Sequence, residues 1–264
     1  MFTSGKNSYS QDIVLWLDGM DPLGTGTPPS SGSSLPTWAD KSGIGNNAIA
    51  FNTIPWTSNS PYVVGTTLTS NTTNPQLYRM PNLPVTMNNQ SVFFVGNCTN
   101  GSGTADFIAT QSITTGSNVG FLQNRIIANR VQISKWGGGS VVNPFGTITS
   151  GNTFLYSMTY QYPPATSPGV FAFLNGGSSS GTGTSFSQSG VGNVQIGGYT
   201  NNAANQGGEY WSGMISEVII YSTALSTVNR QKVEGYLAWK WNISLPISHP
   251  YYSAPPSGFL PTQL

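Results

Sequence analysis

Apolar residues fall in short runs separated by Gly, Pro, Asn and Ser, a spacing that predicts strands for most of the chain. The runs cover residues 13–17, 48–51, 77–80, 91–97, 105–110, 119–122, 125–128, 131–135, 153–160, 170–174, 194–197 and 213–221. No helical pattern alternates with them, which points to a sandwich or barrel and away from βαβ units. Three stretches rich in Gly, Ser, Pro or Thr read as long loops: 23–35, 162–168 and 176–192. Strict alternation fails at Val218–Ile220, so a bulge or change of face belongs there, in a strand buried on both sides.

One segment carries a helical period. From Thr227 to about Asn242, Val233, Tyr236, Leu237 and Trp241 form a single apolar stripe, and Ser226 stands where an N-cap belongs. Arg230, Lys232, Glu234 and Lys240 lie along the same segment, as expected of a surface helix docked by one face. Gly235 weakens the helix by about 1 kcal/mol relative to Ala, which close packing would explain. Pro246, Pro250, Pro255, Pro256 and Pro261 then predict an extended Pro-rich tail. The expected organisation is an N-terminal arm over 1–11, a sandwich over 12–225, a helix over 226–243 and the tail over 244–264.

Composition narrows the function classes. The 12 Phe, 12 Tyr and 7 Trp supply a sizeable core. Charged residues make up 6% of the chain and the net charge is +1, against about 25% charged in an ordinary domain. The few basic residues are scattered, which argues against nucleic acid and against a cationic membrane face. No apolar run approaches the ~20 residues of a membrane helix. The first residues lack an apolar signal region; together with the charge-poor surface, this suggests a component assembled inside a cell and released by lysis. The one cysteine, Cys98, excludes an intramolecular disulfide and reads as a small buried residue.

Three stretches carry a family resemblance. Ile13–Asp18 with Met20-Asp21-Pro22, then Thr37-Trp38-Ala39-Asp40-Lys41-Ser42-Gly43 and Asn46-Asn47-Ala48, form the first. Phe154–Tyr160 with Val170–Gly176 form the second, and Val194–Gly198 with Trp211–Ser226 the third. Together they resemble the opening, central strands and closing signature of concanavalin A-like/laminin-G-like domains. Glu234–Trp241 and Leu245–Tyr251 resemble a C-terminal extension of such domains in large DNA viruses, tailed phages and environmental bacteria. The resemblance implies an all-β fold, a two-sheet antiparallel jelly-roll sandwich. It implies sugar or protein binding more often than catalysis.

The residues offer little for catalysis. Of eight carboxylates, none forms the alternating acid strand of glucanases sharing this fold, and Glu209 with Glu217 is the pair to weigh. His249 is the one histidine, and no nucleophile motif accompanies it. A four-ligand zinc site is excluded by one His and one Cys. Calcium is the cofactor to consider: Asp18, Asp21 and Asp40, near Asn46, could supply part of an oxygen shell, or could instead cap turns. Sugar binding needs exposed rings and planar amides. Trp56, Tyr62 and Trp136 qualify by type, and the amide-rich loop from Tyr199 to Tyr210 is the place to look first: Tyr199, Asn201, Asn202, Glu209, Tyr210 and Trp211.

The resulting expectation is a non-enzymatic virion or particle-surface structural protein, such as a minor capsid, fibre or decoration component. Its partners would be other structural proteins or copies of itself, with the tail lacing into a neighbour. A carbohydrate-binding lectin module for glycan attachment is the alternative, and a glycan-active hydrolase the remote one.

Overall fold

In a computed structural model, residues 12–58, 60–63, 76–86, 89–99, 104–112, 122–135, 139–161, 169–182, 191–198 and 209–264 are described. The strands are β1 (Ile13–Asp18), β2 (Thr37–Trp38), β3 (Ala48–Phe51), β4 (Trp56–Thr57), β5 (Ser60–Val63), β6 (Leu77–Thr86), β7 (Asn89–Asn97) and β8 (Thr104–Ser112). They continue as β9 (Leu122–Ile127), β10 (Arg130–Lys135), β11 (Gly139–Phe145), β12 (Thr153–Gln161), β13 (Val170–Leu174), β14 (Ser178–Thr182), β15 (Val191–Ile196) and β16 (Gly213–Tyr221). One helix, α1 (Thr227–Lys240), and a 3-10 turn (Pro261–Gln263) complete the described elements.

The strands form two antiparallel sheets. The first runs β14-β13-β12-β7-β16, with β1 beside β16 and the β4–β5 hairpin joined at the start of β16. The second runs β11-β10-β9-β8-β15-β6-β3-β2. Their facing sides close over one apolar core, in which the rings of Phe94, Phe107, Phe154, Tyr156 and Trp211 pack edge-on or tilted. The architecture is the expected two-sheet sandwich with one late helix.

The first sheet is buried on both faces. Val92 and Phe94 of β7 point into the sandwich core, while Phe93 and Val95 point outward into a second apolar cluster with Leu155, Ile219 and Tyr221. Val233, Leu237 and Ala238 of α1 and Leu245 cover that outer cluster. This cover is why the β7 and β16 sequences read as continuous apolar runs rather than alternating ones. The bulge in β16 lies earlier than Val218–Ile220, where pairing with β7 is regular: register shifts between Ile215 and Glu217, turning Glu217 toward the helix side. At the start of β16, Gly213 has φ +140, and a Cβ there would stand 2.1 Å from the Asn97 carbonyl oxygen, so only glycine fits.

The segment after α1 departs from expectation. It is not a free extended arm: residues 244–264 turn repeatedly and pack back on the same domain, with Tyr251, Phe259 and Leu264 against the outer cluster. Tyr221 Oη donates to the Pro261 carbonyl at 2.9 Å, and Trp239 Nε1 to that of Tyr251 at 2.9 Å. The prolines here set turns rather than an extended run. Five strands also lie where no apolar run announced them: the short β2, β4 and β5, and the longer β11 and β14. β14 falls inside the expected 176–192 loop, and β11 follows a Gly-rich stretch. The arm over 1–11 lies outside the described residues.

Candidate functional site: the polar outer face of the second sheet

With the first sheet sealed, the fold gathers polar side chains on the outer side of the second sheet; Asp106, Gln123, Gln132, Ser134 and Gln195 are buried there, and the Arg125 and Glu209 side chains are partly exposed, 18% and 24%. Directly paired residues share a face, and pairing places Gln132 opposite Arg125, Ser134 opposite Gln123, and Asp106 opposite Arg125. The alternate residue Asn124 points inward, where it accepts from Tyr156 Oη of the first sheet. Arg125, Gln123, Gln132, Ser134 and Asp106 therefore line the outer side of β8, β9 and β10. Gln195 and Arg79 continue this row through β15 and β6.

These side chains form one hydrogen-bonded network. Arg125 Nε donates to Gln132 Oε1 at 2.8 Å, and its Nη1 to Glu209 Oε2 at 3.2 Å. The amide nitrogen of Gln123 donates to Asp106 Oδ2 at 2.6 Å and to Glu209 Oε2 at 2.9 Å, while Gln123 Oε1 accepts from Ser134 Oγ at 3.1 Å. The backbone of Glu209 is drawn in as well: its carbonyl accepts from the Asp106 N–H at 2.6 Å, and its φ of +60 is unusual for a residue with a side chain. Complete burial, and then the charge of Glu209, push the Asp106 carboxyl well above the usual carboxylate range. Among the described residues its Oδ1 has no hydrogen-bond partner. The result is a fixed plane of amide, guanidinium and carboxyl groups in which the Arg125 and Glu209 charges cancel.

Of the loop residues expected to bind sugar, Glu209 belongs to this network. Tyr210 is half-buried with its ring against Gly198. Tyr199, Asn201 and Asn202 lie outside the described residues. Trp211 is a correction: it is wholly buried in the sandwich core among Phe94, Phe107 and Phe154, and cannot offer a ring to a ligand. Trp56 is likewise buried, its Nε1 donating to the Gly19 carbonyl. The network members Asp106, Gln123, Arg125, Gln132 and Ser134 escaped sequence reading. Their signal was polar residues alternating with apolar ones along β9 and β10, which is ordinary for any half-exposed strand.

Of the two readings of Asp18, Asp21 and Asp40, calcium ligands or turn caps, the contacts fit the second better. Asp18 is held between two ammonium groups, Lys41 Nζ at 2.9 Å and Lys240 Nζ at 2.7 Å. Burial alone would raise its pKa, but the two lysines outweigh that and hold the carboxyl below its ordinary value. Asp21 accepts from the N–H groups of Thr25 and Gly26 and pairs with Lys41 at 3.1 Å. Asp40 accepts from Trp16 N, Ser42 N, Ser42 Oγ and Asn46 N. These oxygens already have donors, and a cation would have to displace lysine at Asp18 and Asp21 and N–H and O–H donors at Asp40. Among the described residues, no group of three or more His, Cys, Asp or Glu could hold a metal ion.

The residues of the opening and closing motifs instead lock the helix down. Glu217, fully buried, accepts from Trp16 Nε1 at 2.8 Å and Trp241 Nε1 at 2.6 Å, and pairs with Lys240 at 2.8 Å. A second lock joins sheet, helix and C-terminal segment: Glu234 accepts from Ser157 Oγ, pairs with Arg230, and meets His249 Nε2 at 3.1 Å. The Tyr251 N–H donates to His249 Nδ1 at 3.2 Å, so the proton on the neutral ring sits on Nε2. Glu209 and Glu217 stand on opposite outer faces of the sandwich and form no pair.

No protein-family model matches the chain, and no curated protein matches it. Solved structures do. The sialidase of Trypanosoma rangeli in complex with sialic acid is similar over 87% of this chain, with TM-score 0.55 and 12% identity. A complex of that sialidase with 2,3-difluoro-KDN is similar over 81%, with TM-score 0.54 and 13% identity. A heptameric SAP-like pentraxin from Limulus polyphemus is similar over 66% of this chain and 80% of its own, with TM-score 0.50 and 16% identity. This chain shares a β-sandwich fold with them. It spans about a third of the sialidases' length, 33% and 31%. Among the described residues, no helix is long and apolar enough to cross a membrane.

Proposed function

We propose that this chain is a non-enzymatic, lectin-like recognition module that binds neutral glycans on the outer face of the second sheet. The carrying observation is the Arg125–Gln132–Glu209–Gln123–Asp106 network. The buried amides and Asp106 fix the partly exposed Arg125 and Glu209 side chains, and this fixed polar edge is suited to sugar hydroxyls, since little side-chain freedom is lost on binding. The guanidinium edge at Arg125 Nη2 has no partner among the described residues, and the side chain is 18% exposed. The cancelled charge favours neutral sugars over anionic ones.

Several observations support the non-enzymatic reading. His249 and Cys98 are buried, and His249 is committed to Glu234 and Tyr251. The Asp106 and Glu209 carboxyls are tied to one amide nitrogen rather than standing apart across a cleft. A glycan array probed with the full chain, with calcium and with chelator, tests the proposal. Neutral glycans bind in both conditions, and Arg125→Ala loses the signal. Absence of binding to every glycan contradicts it, as does turnover of a glycan substrate.

A second reading places the module on a virion or other particle surface, among other structural proteins or its own copies. The charge-poor composition favours it, because net charge +1 leaves little repulsion between copies. Finding the chain in purified particles at fixed stoichiometry supports this reading, and its absence from them ends it.

A further inference from the structure

The last turns of α1 and the segment that folds back behind it enclose a cleft of about 250 Å³. Trp239 and Tyr252 line it with Asn242, Ile243, Ser244 and Leu245. Both rings are unusually open for this protein: Trp239 is 47% exposed and Tyr252 50%. Trp239 is nonetheless fixed, because its Nε1 donates to the Tyr251 carbonyl at 2.9 Å. Asn242 has φ +53 and stands beyond the C-cap, where the chain turns.

We propose that this cleft holds a single pyranose ring and is a glycan subsite separate from the sheet face. At roughly 30 Å³ per water it has room for about eight waters, one sugar ring rather than an oligosaccharide or a helix. None of its lining residues is charged, so an ionic ligand has nothing to pair with. A sugar ring has an apolar C–H face and a rim of hydroxyls. The aromatic side chains of Trp239 and Tyr252, with an amide and a hydroxyl, match both parts. The cleft lies on the helix that covers the first sheet, so its occupancy does not depend on the Arg125 network.

Saturation-transfer NMR on the full chain tests this with methyl β-glucoside, methyl β-galactoside and methyl N-acetyl-β-glucosaminide as probes. At least one probe should receive saturation at its ring protons, with affinity falling about tenfold in Trp239→Ala and in Tyr252→Ala, the loss expected of one aromatic contact. Arg125→Ala should leave this signal intact even where it removes binding to the sheet face. If Trp239→Ala lowers the melting temperature, Trp239→Phe and Tyr252→Ala decide, since neither removes a buried side chain. Saturation of no probe, equal saturation in both aromatic variants, or loss in Arg125→Ala alone overturns the proposal. The last of these would leave the sheet-face reading standing.

Discussion

Replacing Lys240 with methionine removes the ammonium group that pins α1 to the first sheet. Lys240 Nζ lies 2.7 Å from Asp18 Oδ1 and 2.8 Å from Glu217 Oε2. In the variant Asp18 keeps Lys41, but Glu217 keeps only neutral donors, from Trp16, Trp241 and Tyr236. Breaking a buried pair from one side costs about 3–5 kcal/mol, and the remaining indole donors place this case at the lower end, about 3 kcal/mol. The cost depends on pH. Burial raises the Glu217 carboxyl above its ordinary value, and Lys240 opposes that rise. A carboxyl raised in the folded state binds more protons folded than unfolded, so stability falls as pH climbs from its unfolded pKa through its folded one. Without Lys240 the folded value rises further, so the penalty is larger when measured at about pH 8 than at about pH 5. Glu217→Gln in the same chain should return much of the loss at the higher pH. Urea unfolding followed by tryptophan fluorescence at both pH values measures this. An unchanged midpoint, or a penalty equal at both values, refutes the reasoning.

Three further outcomes follow from particular contacts. Gly235→Ala gains about 1 kcal/mol of helix propensity, but its Cβ would stand 2.7 Å from the Tyr251 ring and Cβ. Net destabilisation and faster proteolysis within 244–264 are expected; a rise in melting temperature would contradict this. Asp106→Asn should gain stability relative to the wild type as pH rises, by at most about 1.4 kcal/mol per pH unit, because the raised Asp106 carboxyl costs stability above its unfolded pKa. Parallel pH–stability curves for the two proteins would sink that claim. Trp211→Ala should cost about 3–5 kcal/mol by leaving a cavity, and a folded variant of wild-type stability would show that the ring is not a core element.

The legible part of this molecule was whatever depends on neighbours in sequence. Apolar runs located β1, β7, β12, β13 and β16, and the stripe with Ser226 located α1, whose N-cap hydroxyl accepts from the Asn229 N–H as expected. β14, with the sequence Ser-Ser-Ser-Gly-Thr, was illegible because it is held by backbone pairing with β13 and carries no apolar signal. The C-terminal segment was misread because its prolines were weighed without its anchors. Leu245, His249, Tyr251 and Phe259 find partners on elements they neither adjoin nor resemble. The polar network spans 84 residues from Arg125 to Glu209, and the Trp16–Glu217 lock spans 201. Such distances leave no local pattern, which is why Asp18 and Asp21, weighed as metal ligands, are seats for lysines.

The most direct measurement is a crystal structure of the full chain with the strongest ligand from the glycan array. Sugar density hydrogen-bonded to Arg125 and Glu209, on the side of the second sheet away from α1, is the predicted result. An empty sheet face with sugar bound elsewhere, or a helix lifted to expose the first sheet to ligand, would contradict the account.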